Sequence, residues 1–144
     1  MDAKAHVQIH ANGGAGNDSL TVDATTFGTG SNLAAGAMLQ VHLNGGTGTD
    51  TLNVSHDGEV DGKLQVHLNG GEDGDTAAAN LTANAGSRGK VQAQVNGGSG
   101  DDNLTLNLIA LAGSSAKVNA QVNGGLGFDT CVATSNVKKK NCEA

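Results

Sequence analysis

The sequence predicts an all-β fold: a right-handed parallel β-solenoid, a β-roll or β-helix of five coils whose two parallel sheets face each other across a narrow core. Three observations predict it. An Asn-Gly-Gly turn followed by Asp returns five times, an alternating apolar–polar segment precedes each turn, and a second such segment follows it.

The turns begin at Asn12, Asn44, Asn69, Asn96 and Asn123, and their aspartates are Asp18, Asp50, Asp75, Asp102 and Asp129, spaced 32, 25, 27 and 27 residues apart. The whole chain, 1–144, reads as one repeat domain, with coils at roughly 5–37, 38–62, 63–89, 90–116 and 117–133 and a C-terminal cap at 134–144. Before the glycines, Leu39, Gln40, Val41, His42 and Leu43 alternate with the period of two that marks a half-buried strand. Val7, Ile9, Val41, Val66, Val91, Ala93, Val118 and Ala120 fall on one face. After the aspartates, Leu20 and Val22, Leu52 and Val54, and Leu104 and Leu106 point one way, while Ser19, Thr21, Thr51, Asn53, Asn103 and Thr105 point the other. Variable segments such as 55–62 and 82–89 read as wide loops. One strand per coil in one direction makes neighbouring strands parallel, about 4.8 Å apart. A meander of antiparallel hairpins is the competing arrangement, but hairpins give no reason for Asp at the same place in every unit.

Composition bounds the core and the partners. Gly is 23 of 144 residues, Pro, Trp and Tyr are absent, and the two phenylalanines are Phe27 and Phe128. The core must therefore be thin and built from Val, Leu and Ala. A net charge of −6, with Lys138, Lys139 and Lys140 as the one basic run, argues against nucleic acid. No stretch is apolar enough for a membrane span. The opening segment, MDAKAHVQIH, has no signal-peptide h-region, which fits a fragment of a longer protein with upstream domains or further coils.

The turns GGAGNDSLT (13–21), GGTGTDTLN (45–53) and GGSGDDNLT (97–105) resemble the GGxGxDxUx nonapeptide of the haemolysin-type, or RTX, calcium-binding repeats; GGLGFDTCV (124–132) fits with Cys131 at the apolar place. GGEDGDTAA (70–78) departs, with its second glycine step one residue late at Gly74 and Ala77 in place of a bulky residue. The family's repeats run in tandem, whereas here one turn falls in each coil of about 27 residues. The resemblance implies a bacterial protein, extracellular or at the cell surface.

The residue chemistry points the same way. Calcium takes six to eight hard oxygen ligands in tolerant geometry. Stacked turns would offer it Asp18, Asp50, Asp75, Asp102 and Asp129 together with the backbone carbonyls of Gly14, Gly16, Gly46, Gly48, Gly71, Gly98, Gly100, Gly125 and Gly127. Five turns leave four gaps, hence up to four ions. The alternative is that the aspartates only cap glycine-rich turns through their own backbone; an uncompensated column of five would repel itself.

Other columns follow from the same register. Gln8, Gln40, Gln65, Gln92 and Asn119 form an amide ladder, and His10, His42, His67, Gln94 and Gln121 the next column. The three histidines suit zinc or copper, although a solvated polar face is the favoured reading, since no carboxylate or Cys stands nearby to complete such a site. The outward Thr and Ser row of the second sheet is similar to that of ice-binding solenoids, but the third unit breaks it. Cys131 and Cys142 are the two cysteines; a disulfide between them would staple the tail over the last coil, contributing about 2–3 kcal/mol, and would fit an oxidising compartment. Two free thiols are the alternative. No nucleophile–base pair stands out, since His56 beside Asp57 lies outside any catalytic motif. The expected function is a non-catalytic calcium-binding structural module of a secreted or cell-surface protein. The alternatives are an adhesive, ligand-binding or ice-binding surface, or the C-terminal tail of a larger secreted enzyme.

Overall fold

A computed structural model describes residues 4–25 and 32–143; Phe27 lies outside them. The described residues form eleven strands and no helix. Strands β1 (His6–Ala15), β3 (Met38–Thr47), β5 (Lys63–Glu72), β7 (Lys90–Ser99) and β9 (Lys117–Leu126) carry the segments that run into the Asn-Gly-Gly turns. Strands β2 (Ser19–Ala24), β4 (Thr51–Gly58), β6 (Thr76–Ala83), β8 (Asn103–Ala110) and β10 (Thr130–Ala133) follow the aspartates, and β11 (Lys138–Lys140) lies in the tail. One sheet has the order β1-β3-β5-β7-β9-β11 and the other β10-β8-β6-β4-β2. Every pairing is parallel. The chain is a parallel β-solenoid, not a hairpin meander.

Register follows the repeat residue for residue. Asn12, Asn44, Asn69, Asn96 and Asn123 are successive partners, as are Val41 with Val66 and Ala93 with Ala120. A slip of one residue would turn each apolar row to solvent, so the alternation itself fixes the alignment. The core between the sheets is made of Leu, Val and Ala: Val41, Leu52, Val66, Ala77, Ala79, Val95, Leu104 and Leu106 are all fully buried. Small side chains from both sheets fill the thin interior, and this is why the absence of large aromatics does no harm.

Two expectations need correcting. The segments after the aspartates are longer than the first apolar pair suggested: β4 runs to Gly58 and β6 to Ala83, taking in residues read as loop. Their inward alternation continues through His56 and Leu81, which sit on adjacent rungs. Val7 belongs to the inward row but is 38% exposed. It lies on the terminal strand β1, where no described strand covers it, and Ile9, Leu20 and Val22 of the same coil are only partly buried. The opposite end is closed. There β11 pairs with β9, Lys139 donates from Nζ to the Cys131 carbonyl at 2.6 Å, and a Cys131–Cys142 disulfide ties the tail down. No helix among the described residues is long and apolar enough to cross a membrane.

Candidate metal centre

The tight turns stack into one edge of the solenoid, and the five aspartates form a column inside it. Asp50 and Asp129 are fully buried, Asp75 and Asp102 are 2% exposed, and Asp18, in the end coil, is partly buried. Their bonding repeats. The backbone N–H of Asp18 donates to Oδ1 of Asp50 at 2.7 Å, that of Asp50 to Asp75 at 2.7 Å, that of Asp75 to Asp102 at 2.8 Å, and that of Asp102 to Asp129 at 2.9 Å. Each bond crosses from one coil to the next, so these are not Asx caps on the residue's own turn.

The second carboxylate oxygen has a different fate. Oδ2 of Asp18, Asp50, Asp75, Asp102 and Asp129 is buried with no hydrogen-bond partner. A buried carboxylate oxygen left unpaired is strongly unfavourable, and here it occurs five times in line. Burial, followed by the neighbouring Asp129, Asp75 and Asp101 charges, pushes Asp102 up to about 6 despite the hydrogen bond it receives from Asp75. Burial likewise raises Asp75, with Asp50 and Asp73 adding to it. The column asks for positive charge or for protons.

The space beside each orphaned oxygen is shaped by glycine. A Cβ placed on Gly13 would lie 2.7 Å from Asp18 Oδ2 and 2.6 Å from the Gly45 carbonyl oxygen of the following coil. Gly45, Gly70 and Gly97 repeat this cradle, each against Oδ2 of its own turn's aspartate and the carbonyl of Gly70, Gly97 or Gly124 in the next coil. From the other side, the carbonyls of Gly14, Gly46, Gly71 and Gly98 face the second glycine of the next turn, and those of Gly16 and Gly100 face Gly48 and Gly127. At four of the five turns, therefore, one glycine carbonyl of the next coil and one unpaired carboxylate oxygen crowd the same glycine. Both are hard oxygens, the ligand type that calcium takes. Among the described residues no three His, Cys, Asp or Glu side chains cluster as metal ligands.

The third turn keeps the geometry despite its altered spelling. Asp73 takes the place that Gly48 and Gly100 hold in neighbouring turns, and adopts φ 74°. Asp tolerates this left-handed conformation better than most residues. Gly74 is therefore not a displaced glycine step, and Asp75 stays in the column.

Residues missed in the sequence complete the edge. The first-glycine carbonyls of Gly45, Gly70, Gly97 and Gly124 crowd the same glycine positions as the orphaned oxygens. The turn asparagines form a continuous ladder, Asn44 donating to Asn12 at 3.0 Å, Asn69 to Asn44 at 2.6 Å, Asn96 to Asn69 at 2.7 Å and Asn123 to Asn96 at 2.7 Å. The expected Gln column is bonded only in parts: Gln8 donates to Gln40 and Gln65 to Gln92, while Gln40 turns to His42. His10, His42 and His67 do stack, with ring centroids 4.8 and 4.7 Å apart, and His42 and His67 lie within 10° of parallel. Desolvation and then its two ring neighbours lower the His42 pKa. Outward on the second sheet, Thr21, Asn53, Ala78, Thr105 and Val132 share one column, which is no uniform Thr row.

The fold and this edge together define a parallel β-solenoid with a buried carboxylate column. No protein-family model, curated protein or solved structure matches the chain.

Proposed function

We propose that the chain is a non-catalytic calcium-binding structural module, stabilised or folded by calcium held between stacked NGGxGxD turns, and that it works outside the cell or at its surface. One observation carries this reading: five in-line aspartates each bury a carboxylate oxygen with no partner, and in four of them a glycine carbonyl of the adjoining coil lies beside it. Calcium in a gap supplies charge neutralisation and a bridge between coils. Asp18, Asp50, Asp75 and Asp102 furnish the carboxylates, and the turn glycines the carbonyls. The Oδ1 bonds and the Asn ladder hold the coils in register.

A thin Val, Leu and Ala core leaves little surplus stability, so ion binding is folding free energy. Extracellular calcium modules bind at about 10⁻⁴–10⁻³ M, which would leave the chain loose in a calcium-poor cytosol and firm outside it. The disulfide suits the same compartment. The non-catalytic reading draws on His56, which is walled into the core with both ring nitrogens unpartnered and cannot reach a substrate. The test is circular dichroism during calcium titration and chelation. Strand signal and melting temperature should rise with calcium and fall with chelator; indifference to both would refute the proposal.

A further inference from the structure

Three contacts repeat between coils along the tight edge: an Asn amide bond to the preceding coil, an Asp N–H bond to the following carboxylate, and a first glycine crowded by its own Asp Oδ2 and the next coil's carbonyl. The tail reproduces all three with residues that are not part of any repeat. Asn141 donates from Nδ2 to Asn123 Oδ1 at 3.0 Å, extending the Asn ladder. The Asp129 N–H donates to Oε2 of Glu143 at 2.7 Å, where an aspartate of a sixth coil would stand. The Asn141 carbonyl oxygen and Asp129 Oδ2 crowd Gly124, as the Gly124 carbonyl and Asp102 Oδ2 crowd Gly97. Asp129 is fully buried and its Oδ2 has no hydrogen-bond partner. Return bonding secures the arrangement, with the Glu143 N–H donating to the Asp129 carbonyl at 2.9 Å.

We infer that the tail is an imitation sixth turn, which completes a fifth calcium gap from Asp129, the Asn141 carbonyl and Glu143, and which the Cys131–Cys142 disulfide holds in place. The inference rests on the calcium reading above. Cys142 lies between the two tail ligands in sequence, so the one covalent link fixes both against the last coil. Among the described residues the other end has no such device, and the column finishes there at the partly buried Asp18.

Calcium bound per chain, measured by equilibrium dialysis of the full chain over a range of calcium concentrations, tests this. Glu143→Gln keeps an oxygen able to accept the Asp129 N–H bond but removes the charge; Cys142→Ser frees the tail. Each variant should lose one ion relative to the unaltered chain, or bind that ion about tenfold or more weakly, while keeping its strand signal in circular dichroism. Asp102→Asn, in an interior gap, serves as the positive control and should also lose one. If both tail variants match the unaltered chain in number and affinity while Asp102→Asn loses an ion, the fifth gap is refuted and the calcium reading stands. If the unaltered chain binds no calcium, both fall.

Discussion

Asp102 and His56 are both buried and both keep polar atoms without a partner, yet they teach opposite lessons. Asp102 belongs to a row in which every coil repeats the same residue and the same missing partner, and all but the last the same adjacent glycine carbonyl. His56 stands between Ala24 and Leu81 on neighbouring rungs, and no other histidine among the described residues is so buried. A lone orphan in a core is a tolerated defect: burial holds the imidazole neutral by lowering its pKa to about 4, and the fold bears the lost hydrogen bonds. An orphan repeated in register at each coil is the pattern on which the calcium proposal rests. Ser87 shows the ordinary solution on the opposite edge, since its hydroxyl both accepts from Val60 N–H and donates to the Asn84 carbonyl.

The largest expected effect comes from removing calcium. With the ion at about a hundred times its dissociation constant, each gap contributes about 2.7 kcal/mol. Summed over the column, chelation should lower the melting temperature by about 20 °C or more, as thermal unfolding with and without chelator will register.

Asp102→Asn sharpens the contrast because its sign depends on the ion. In saturating calcium it should destabilise by about 2–3 kcal/mol, through one lost site. In chelator it should be neutral or stabilising, because the amide oxygen can still accept the Asp75 N–H bond while the repulsion between neighbouring carboxylates falls. Denaturant unfolding in both buffers measures the pair. An equal loss in both would break the comparison.

His56→Leu should stabilise by about 1–3 kcal/mol with or without calcium, since it removes two unsatisfied buried nitrogens and places Leu beside Leu81. The same denaturant curves reveal it.

The smallest effect is the pH slope of the calcium-free protein. Asp102 has its folded pKa raised from 3.8 to about 6, so the folded state binds more protons than the unfolded one between those values. Its contribution is present below 3.8 and lost as pH rises through 6. His56 has its folded pKa lowered from 6.5 to about 4; its contribution is present above 6.5 and lost as pH falls towards 4. The two oppose each other. In the His56→Leu background, melting temperature in chelator should therefore fall as pH rises from 4 to 6, and the Asp102→Asn change should flatten that slope.

Much of this architecture was legible in the sequence, because a solenoid writes its register as a period. The recurring Asn-Gly-Gly and Asp positions, with apolar rows such as Val41 and Val66, place the strands side by side. Cys131 and Cys142, the chain's two cysteines, could be paired as a staple for the tail. What stayed hidden was whatever broke the period. Asp73 looked like a missing glycine because spelling does not report φ. Asn141 and Glu143 carry no glycines and follow a different spacing, so nothing in the repeat pointed to them. His56 looked like a loop residue because Gly58 and Asp57 suggested a turn where the inward alternation in fact continues. The Asn ladder was overlooked for another reason: Asn before Gly-Gly reads as turn chemistry, and its amide was not considered as a link between coils.

The most direct measurement is a crystal structure grown at millimolar calcium. The account predicts an ion in each gap, bonded at about 2.3–2.6 Å to the orphaned aspartate Oδ2 and to glycine carbonyls of both coils. Aligned turns without ions, with each Oδ2 satisfied by water or by a proton shared with a neighbour, would contradict it.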